Sequence, residues 1–374
     1  MALKLQVPLS ALEASAAPAK VCVTGASGYV AGEIIFRLLL AGHTVHGTVR
    51  GDPQAKAYDG LRELPHASER LRLFKANLAN DGDFDEAIKG CDYVMHVASP
   101  VSVSVPAHRA EAELVRPAVK GVENVVSAIE KSGSVKALVY TSSSSTVAAD
   151  NWERGKDYVY SDKDWSESAS LSFFPYALSK KAAERRACEL YEAQFSNPDV
   201  KKPWRLVRIL PSFVMGPPIG VGNSELVQFA VRSMSGKAPM LPNFHFPMVH
   251  ISDVAIAHIH AMLLESATGR YILVEGNASR GMFDLVHKLK QTTFRNYPLP
   301  RMAAPKWLLW PLCNIFKVFP WDLVVACLNK PIKMDGSVAP KELQFEYHDP
   351  EEGLRNLFIR FVELGLVQKR GEFE

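Results

Sequence analysis

The sequence predicts an α/β protein built on a doubly wound parallel sheet, with a smaller C-terminal substrate-binding region. Three observations carry that prediction. An apolar strand, Val21-Cys22-Val23, runs straight into Thr24-Gly25-Ala26-Ser27-Gly28-Tyr29-Val30-Ala31, with glycines spaced to turn the chain into a helix. Apolar strands then alternate with amphipathic helical stretches, the pattern that covers both faces of a parallel sheet. Finally, no internal repeat, low-complexity tract or proline-rich linker divides the 374 residues, so the second part grows out of the first by insertions and a C-terminal cap. A strand, a glycine turn and a helix in that order form the Rossmann-type signature of a dinucleotide site.

Each element follows from its residues. Gly25 allows the tight turn and Gly28 lets the backbone approach phosphates, while the helix starting near Tyr29 aims unpaired N–H groups and a positive dipole end at them. Gly25, Ser27, Gly28, Tyr29 and Val30 are therefore candidate cofactor-binding residues, and Ala31 takes the third small position of the fingerprint. The apolar run from Ile34 to Leu40 continues the helix, Gly42-His43 stops it, and residues 44–49 form a second strand ending at Arg50. An acidic residue there would accept from a ribose 2′-hydroxyl, whereas a guanidinium offers paired donors to a 2′-phosphate, so Arg50 selects NADP over NAD. Lys56 adds a second positive charge. Further strands are expected over 71–75, 93–97, 137–141 and 204–209, with helices over 84–89, 110–131 and 175–192.

A second constellation carries chemistry. Tyr176 and Lys180 stand four residues apart on the helix expected over 175–192, so they face the same way. A protonated lysine beside a phenol stabilises phenolate and draws the tyrosine pKa down from about 10, which suits proton transfer to a carbonyl oxygen. Ser143, in the cluster Tyr140-Thr141-Ser142-Ser143-Ser144-Ser145 at a strand end, can hold that same oxygen.

Composition narrows the field. A net charge of +3 gives no basic field for nucleic acid, and the five cysteines lack a C-x-x-C pair, which argues against a zinc site or disulfide framework and fits a reducing, cytoplasmic setting. Residues 1–19 hold no apolar signal core and are expected to be a poorly ordered extension or leader. Residues 20–210 are expected to form mainly the NADP-binding domain, and 211–374 mainly the substrate-binding and capping region, with 249–276 returning to the core. Apolar residues crowd 302–332, but Pro311, Lys317, Pro320 and Asp322 interrupt them before any run reaches the ~18 residues of a membrane span. That stretch reads as a cap over an apolar substrate or as a peripheral membrane contact. A monomer or homodimer is expected.

The glycine loop, Gly47-Thr48-Val49-Arg50, Cys91 to Pro100, Arg116-Pro117-Ala118-Val119-Lys120-Gly121, Thr141-Ser142-Ser143, the Tyr176/Lys180 pair and Val249 to Ala255 together resemble the extended short-chain dehydrogenase/reductase superfamily. Within it the chain is similar to dihydroflavonol reductases, cinnamoyl-CoA reductases and related aldehyde and ketone reductases. The resemblance implies an NADPH-dependent carbonyl reductase with Ser143, Tyr176 and Lys180 as catalytic residues, an oxidoreductase of the CH–OH class. It also implies Asn77 and Leu78 beside the adenine, Val97, Ala98 and Ser99 along the adenosine and ribose, Pro211 and Val214 beside the nicotinamide, and Ser224 near the phosphates. Tyr176 and Lys180 themselves would touch the cofactor. Asn124 would hold either a proton-relay water or a structural hydrogen bond. Cinnamoyl-CoA reductases carry Asn-Trp-Tyr-Cys-Tyr-Gly-Lys where this chain has Phe174-Pro175-Tyr176-Ala177-Leu178-Ser179-Lys180, which counts against a CoA thioester. Ala148 after Thr146-Val147 replaces the amide of dihydroflavonol reductases. A hydroxysteroid dehydrogenase/isomerase or sugar-nucleotide epimerase would share the same triad, and an NADP-sensing regulator would share the glycine loop.

Overall fold

Seven strands of the computed structural model form one parallel sheet: β1 (Lys20–Val23), β2 (Thr44–Val49), β3 (Leu71–Lys75), β4 (Tyr93–His96), β5 (Ala137–Thr141), β6 (Arg205–Pro211) and β7 (Arg270–Leu273). The structure describes residues 7–100, 105–197, 202–219, 231–315, 319–371 and 373. Spatial order runs β7-β6-β5-β4-β1-β2-β3, with β1 paired to both β2 and β4. The connections reverse direction at β1, which opens a crevice at the carboxyl ends of β1 and β4 where ligands of doubly wound sheets bind. Expected strands 44–49, 71–75 and 137–141 match, 93–97 ends one residue early, and 204–209 runs as 205–211. Missing from the expectation is β7, whose four buried residues begin with a charged Arg270 that hides its apolar character.

Alternation along the strands sends side chains to two apolar layers. Val21 and Val23 of β1 join α2 (Tyr29–Leu40) and α5 (Ile251–Leu263) on one face. Cys22 faces the opposite layer, with α3 (Arg116–Ser132) and α4 (Pro175–Ala193). The single helix expected over 110–131 is three pieces, with a π turn at Glu111–Val115 before α3. Pro117 explains the irregularity, since it has no N–H for the carbonyl four residues back. Beyond the sheet, a separate apolar cluster gathers Phe244, Leu309, Cys313, Val324 and Ala326 around α6 (Lys306–Asn314) and α7 (Trp321–Cys327). Among the described residues no helix is long and apolar enough to cross a membrane.

From Val7 to Ser15 the N-terminal segment is ordered and bonded to the domain, while residues 1–6 of the expected extension lie outside the described residues. Ser10 caps α1 (Ala11–Ser15) in a reciprocal pair with Glu13, and the Glu13 carboxylate takes Arg37 Nε at 2.8 Å and Nη2 at 2.6 Å, both side chains fully buried. Arg37 also donates to the Val7 and Pro8 carbonyls, and Ser10 Oγ meets His260 Nε2 at 2.7 Å.

Candidate active site

Thr24, at the end of β1, organises the crevice. Its Oγ1 accepts the N–H groups of Val97 (3.1 Å) and Ala98 (3.0 Å) and lies 2.8 Å from His96 Nδ1. Burial, reinforced by the charge of Lys180, drives His96 down to about 3, so its ring is neutral and takes the Thr24 proton at Nδ1. This stitch presses Ala98 against the glycine turn. Gly25 adopts φ +69°, and a Cβ there would stand 3.0 Å from Ala98 Cβ, so only glycine fits both the turn and the space. Gly28 starts α2 without a side-chain cap, which leaves the first-turn N–H groups at Tyr29 and Val30 for a ligand. Ser27 is exposed at the turn tip. The Tyr29 phenol itself is spent elsewhere, donating to the Gly216 carbonyl at 2.6 Å and tying α2 to the C-terminal region.

Arg50 is exposed at the end of β2, and Lys56 is exposed at the start of a short 3₁₀ turn. Neither side chain makes a hydrogen bond or ion pair among the described residues. Open donors at the glycine turn and unengaged cations at the neighbouring strand end fit the pyrophosphate and 2′-phosphate of NADP. Asn77 is exposed after β3, where its Oδ1 accepts the Ala79 N–H, and Leu78 packs beneath Gly121. Asn124 donates to the carbonyls of Leu78 (2.8 Å) and Asn80 (3.0 Å), which resolves its two readings toward the structural hydrogen bond. Ser99 follows β4 and is half-buried. Pro211 closes β6, and Val214 lies in the short strand Phe213–Met215 paired with Met248–His250. Ser224 lies outside the described residues.

The second group assembles where α4 crosses the end of β5. Lys180 Nζ donates to the Thr141 carbonyl at 3.3 Å, two residues before Ser143. Thr141 is held in turn: His258 gives its Nδ1 proton to the Val254 carbonyl (2.7 Å), so its Nε2 accepts the Thr141 hydroxyl (2.7 Å). Burial pushes Lys180 down to about 8, and Glu184 works against that shift by favouring the charged form. Ser143 Oγ accepts from the Ser145 N–H (3.2 Å) and hydroxyl (2.9 Å), leaving its own O–H to donate. Tyr176 is half-buried in the first turn of α4, close enough to Tyr140 for its charge to raise the Tyr140 phenol, a rise due first to burial.

Sequence reasoning passed over the polar scaffold under this group. Fully buried Glu184 accepts from Ser142 Oγ (2.6 Å), Thr146 Oγ1 (3.0 Å) and Arg270 Nε (2.6 Å). Arg270 also stacks 4.0 Å over the Trp165 ring. The flanking residues of Ser143 are thus bolted to the same helix that carries Tyr176 and Lys180. Spacing alone marks Glu184, which continues the stripe at 176 and 180 by one more turn. Phe174 enters α4 with a left-handed φ of 51°, and its N–H donates to Asp322 of α7 at 3.2 Å. Between these elements lies a cleft of about 330 Å³ lined by Val105, Leu171, Pro175, Cys313, Phe319 and Trp321.

Known proteins resemble this chain in sequence and fold. Residues 21–273 match the NAD dependent epimerase/dehydratase family. The chain is 37% identical over 301 residues to a cinnamoyl-CoA reductase of Medicago truncatula, covering 79% of this chain and 87% of the relative. It is 40% identical over 261 residues to tetraketide alpha-pyrone reductase 1 of Arabidopsis thaliana (68% and 76% covered). A bifunctional dihydroflavonol 4-reductase/flavanone 4-reductase of Pyrus communis is 34% identical over 295 residues (74% and 76% covered). Among solved structures, Gre2 of Candida albicans in complex with NADPH superposes with a TM-score of 0.73 at 25% identity, covering 92% of this chain and 99% of that one. With a family model that spans residues 21–273 and reductase relatives 34–40% identical over most of its length, the chain belongs to the NAD dependent epimerase/dehydratase family of extended short-chain dehydrogenases/reductases.

Proposed function

We propose that this protein is an NADPH-dependent carbonyl reductase acting on an apolar or aromatic aldehyde or ketone. The reading is carried by one observation: the end of β5 with Ser143 and the face of α4 with Tyr176 and Lys180 meet beside the crevice that the glycine turn opens. When bound, NADPH supplies the hydride that the carbonyl carbon receives. Ser143 donates its free O–H to the carbonyl oxygen and orients it. Tyr176 gives its phenolic proton to that oxygen as the alcohol forms, and Lys180, charged at neutral pH, stabilises the phenolate left behind. Lys180 would also hold the nicotinamide ribose, and Pro211 and Val214 would border the ring. Gly25, Ser27, Gly28, Tyr29 and Val30 would hold the pyrophosphate, Arg50 and Lys56 the 2′-phosphate, and Asn77, Leu78, Val97, Ala98 and Ser99 the adenosine. In the reverse direction Tyr176, as phenolate, would take the hydroxyl proton of a CH–OH donor whose hydride passes to NADP⁺.

An apolar substrate is supported by the cleft beside Pro175, where Leu171, Phe319 and Trp321 offer apolar surface next to the polar Asn314 and Asp322. Tyr176→Phe removes only the proton donor. It should cut NADPH oxidation with an accepted aldehyde by about 10²- to 10⁴-fold while NADPH still binds, followed by cofactor fluorescence. Unchanged turnover in that variant refutes the mechanism.

A further inference from the structure

The outward face of α6 has the wrong chemistry for water. Leu309 and Cys313 point into the cap cluster, yet Trp307 and Trp310 on the opposite side are 75% and 54% exposed, Ile315 at the helix end is 63% exposed and Met302 before it 59%. Trp307, Trp310 and Pro311 lie at i, i+3 and i+4, one stripe of the helix. Two indoles on the solvent stripe of one short helix exceed the scattered exposure of an ordinary surface.

Charge along this stretch of sequence is of one sign, although Lys288 is paired with Glu351. From 285 to 321 the sequence has Lys288, Lys290, Arg295, Arg301, Lys306 and Lys317 and no acidic residue. Arg301 and Lys306 are exposed on the segment that leads into Trp307, and the Arg301 N–H bonds the Pro239 carbonyl, two residues from exposed Lys237. The side chains of Lys237, Arg301 and Lys306 make no ion pair among the described residues. Nearby Asp322 turns inward to Phe174.

We propose that the α6 face docks on the surface of an anionic phospholipid bilayer. Tryptophans are at home at the headgroup level, and unpaired lysine and arginine side chains meet lipid phosphates there. A second copy of this chain is the poorer occupant, because self-association through the stripe would set its cations against themselves. The docked face adjoins the cleft through Cys313 at the inner side of α6 and Trp321 at the start of α7, and Pro175 on the far wall precedes Tyr176. An apolar carbonyl compound dissolved in the bilayer would therefore reach the reactive groups without crossing water. This last step rests on the carbonyl-reductase reading, while docking itself does not.

The test is co-sedimentation of the full chain with phosphatidylcholine vesicles, with and without phosphatidylglycerol, for the native protein and for a Trp307→Ala/Trp310→Ala double variant. Native protein should pellet with the anionic vesicles and release in high salt, and the double variant should bind at least about tenfold more weakly. Both should reduce a water-soluble aldehyde equally. Absence of vesicle binding, equal binding by the two proteins, or a homodimer that the double variant dissociates overturns the proposal. Vesicle binding by a protein that reduces no carbonyl compound would leave docking intact and sink the reductase reading instead.

Discussion

Replacing Glu184 by Gln keeps the shape of the side chain and removes its charge, which separates two jobs of that carboxylate. The first is to neutralise Arg270 in a site where both side chains are buried. Removing one partner of such a pair typically costs about 3–5 kcal/mol, to be read from urea unfolding at neutral pH. The second job concerns Lys180, one helical turn away, whose pKa of about 8 is set by burial and held up by Glu184. Side chains at i and i+4 are separated by about 6 Å, so the attraction is about 3 kcal/mol at an effective dielectric of ~20. If Arg270 already offsets half of it, about 1.4 kcal/mol remains, equivalent to about one pH unit. The alkaline limb of kcat/KM for reduction, which should fall through about pH 8 in the native protein as Lys180 loses its proton, should move to about pH 7 in Glu184→Gln. At pH 8 the charged fraction then drops about fivefold, whereas at pH 6 it hardly changes. Initial rates of NADPH oxidation across pH 5.5 to about 9.5 measure this, with urea titration confirming that the variant is folded at each point. A variant that loses activity equally at every pH, with an unmoved limb, would refute the link from Glu184 to Lys180 and leave the carboxylate a purely structural part.

Other outcomes follow from the same geometry. Arg50→Ala removes the charge-assisted bonds to a 2′-phosphate and should raise KM for NADPH about 10- to 150-fold while leaving NADH nearly unchanged; equal effects on both cofactors would count against the assignment. Burial alone would raise the Glu13 carboxyl, but Arg37 and Ser10 outweigh it and leave the group below its ordinary 4.5. Its folded pKa is thus depressed, so the stability it lends is present above about pH 4.5 and lost as pH falls through the lower folded value. Glu13→Gln should accordingly unfold at lower urea than the native protein at pH 7, with the gap narrowing as both are acidified below pH 4; a constant gap would argue against the linkage.

What could be read in advance was whatever depends on neighbours in sequence. Gly25 and Gly28 announce a turn, Arg50 ends a strand of clear alternation, and Tyr176 and Lys180 are bound by helical spacing. Other features depend on distant partners. Glu184 shares that spacing, yet its meaning comes from Arg270, 86 residues away, and β7 is hidden because that arginine opens it. Buried on nearly every side, α5 has little amphipathic stripe to betray it as a helix, even though its His258 holds Thr141 in place. Residues 7–19 look featureless because the burial of Glu13 is defined only once Arg37 stands beside it. The contact between Asp322 and Phe174 joins a cap to a helix that the sequence separates by 148 positions.

That contact also bears on how such enzymes can be rebuilt. A non-glycine residue held left-handed stores about 1–2 kcal/mol, and here the strain sits two residues before the proton donor and is countered by a carboxylate from the cap. The cap is consequently no free-standing cassette. An engineer who transplants a relative's lid to change the range of accepted compounds would also need to transplant the 173–175 corner, or else supply an acceptor where Asp322 stands. A lid grafted without it would leave the entry to α4 free to relax, and the phenol would drift from its target although every group that performs chemistry had been left untouched.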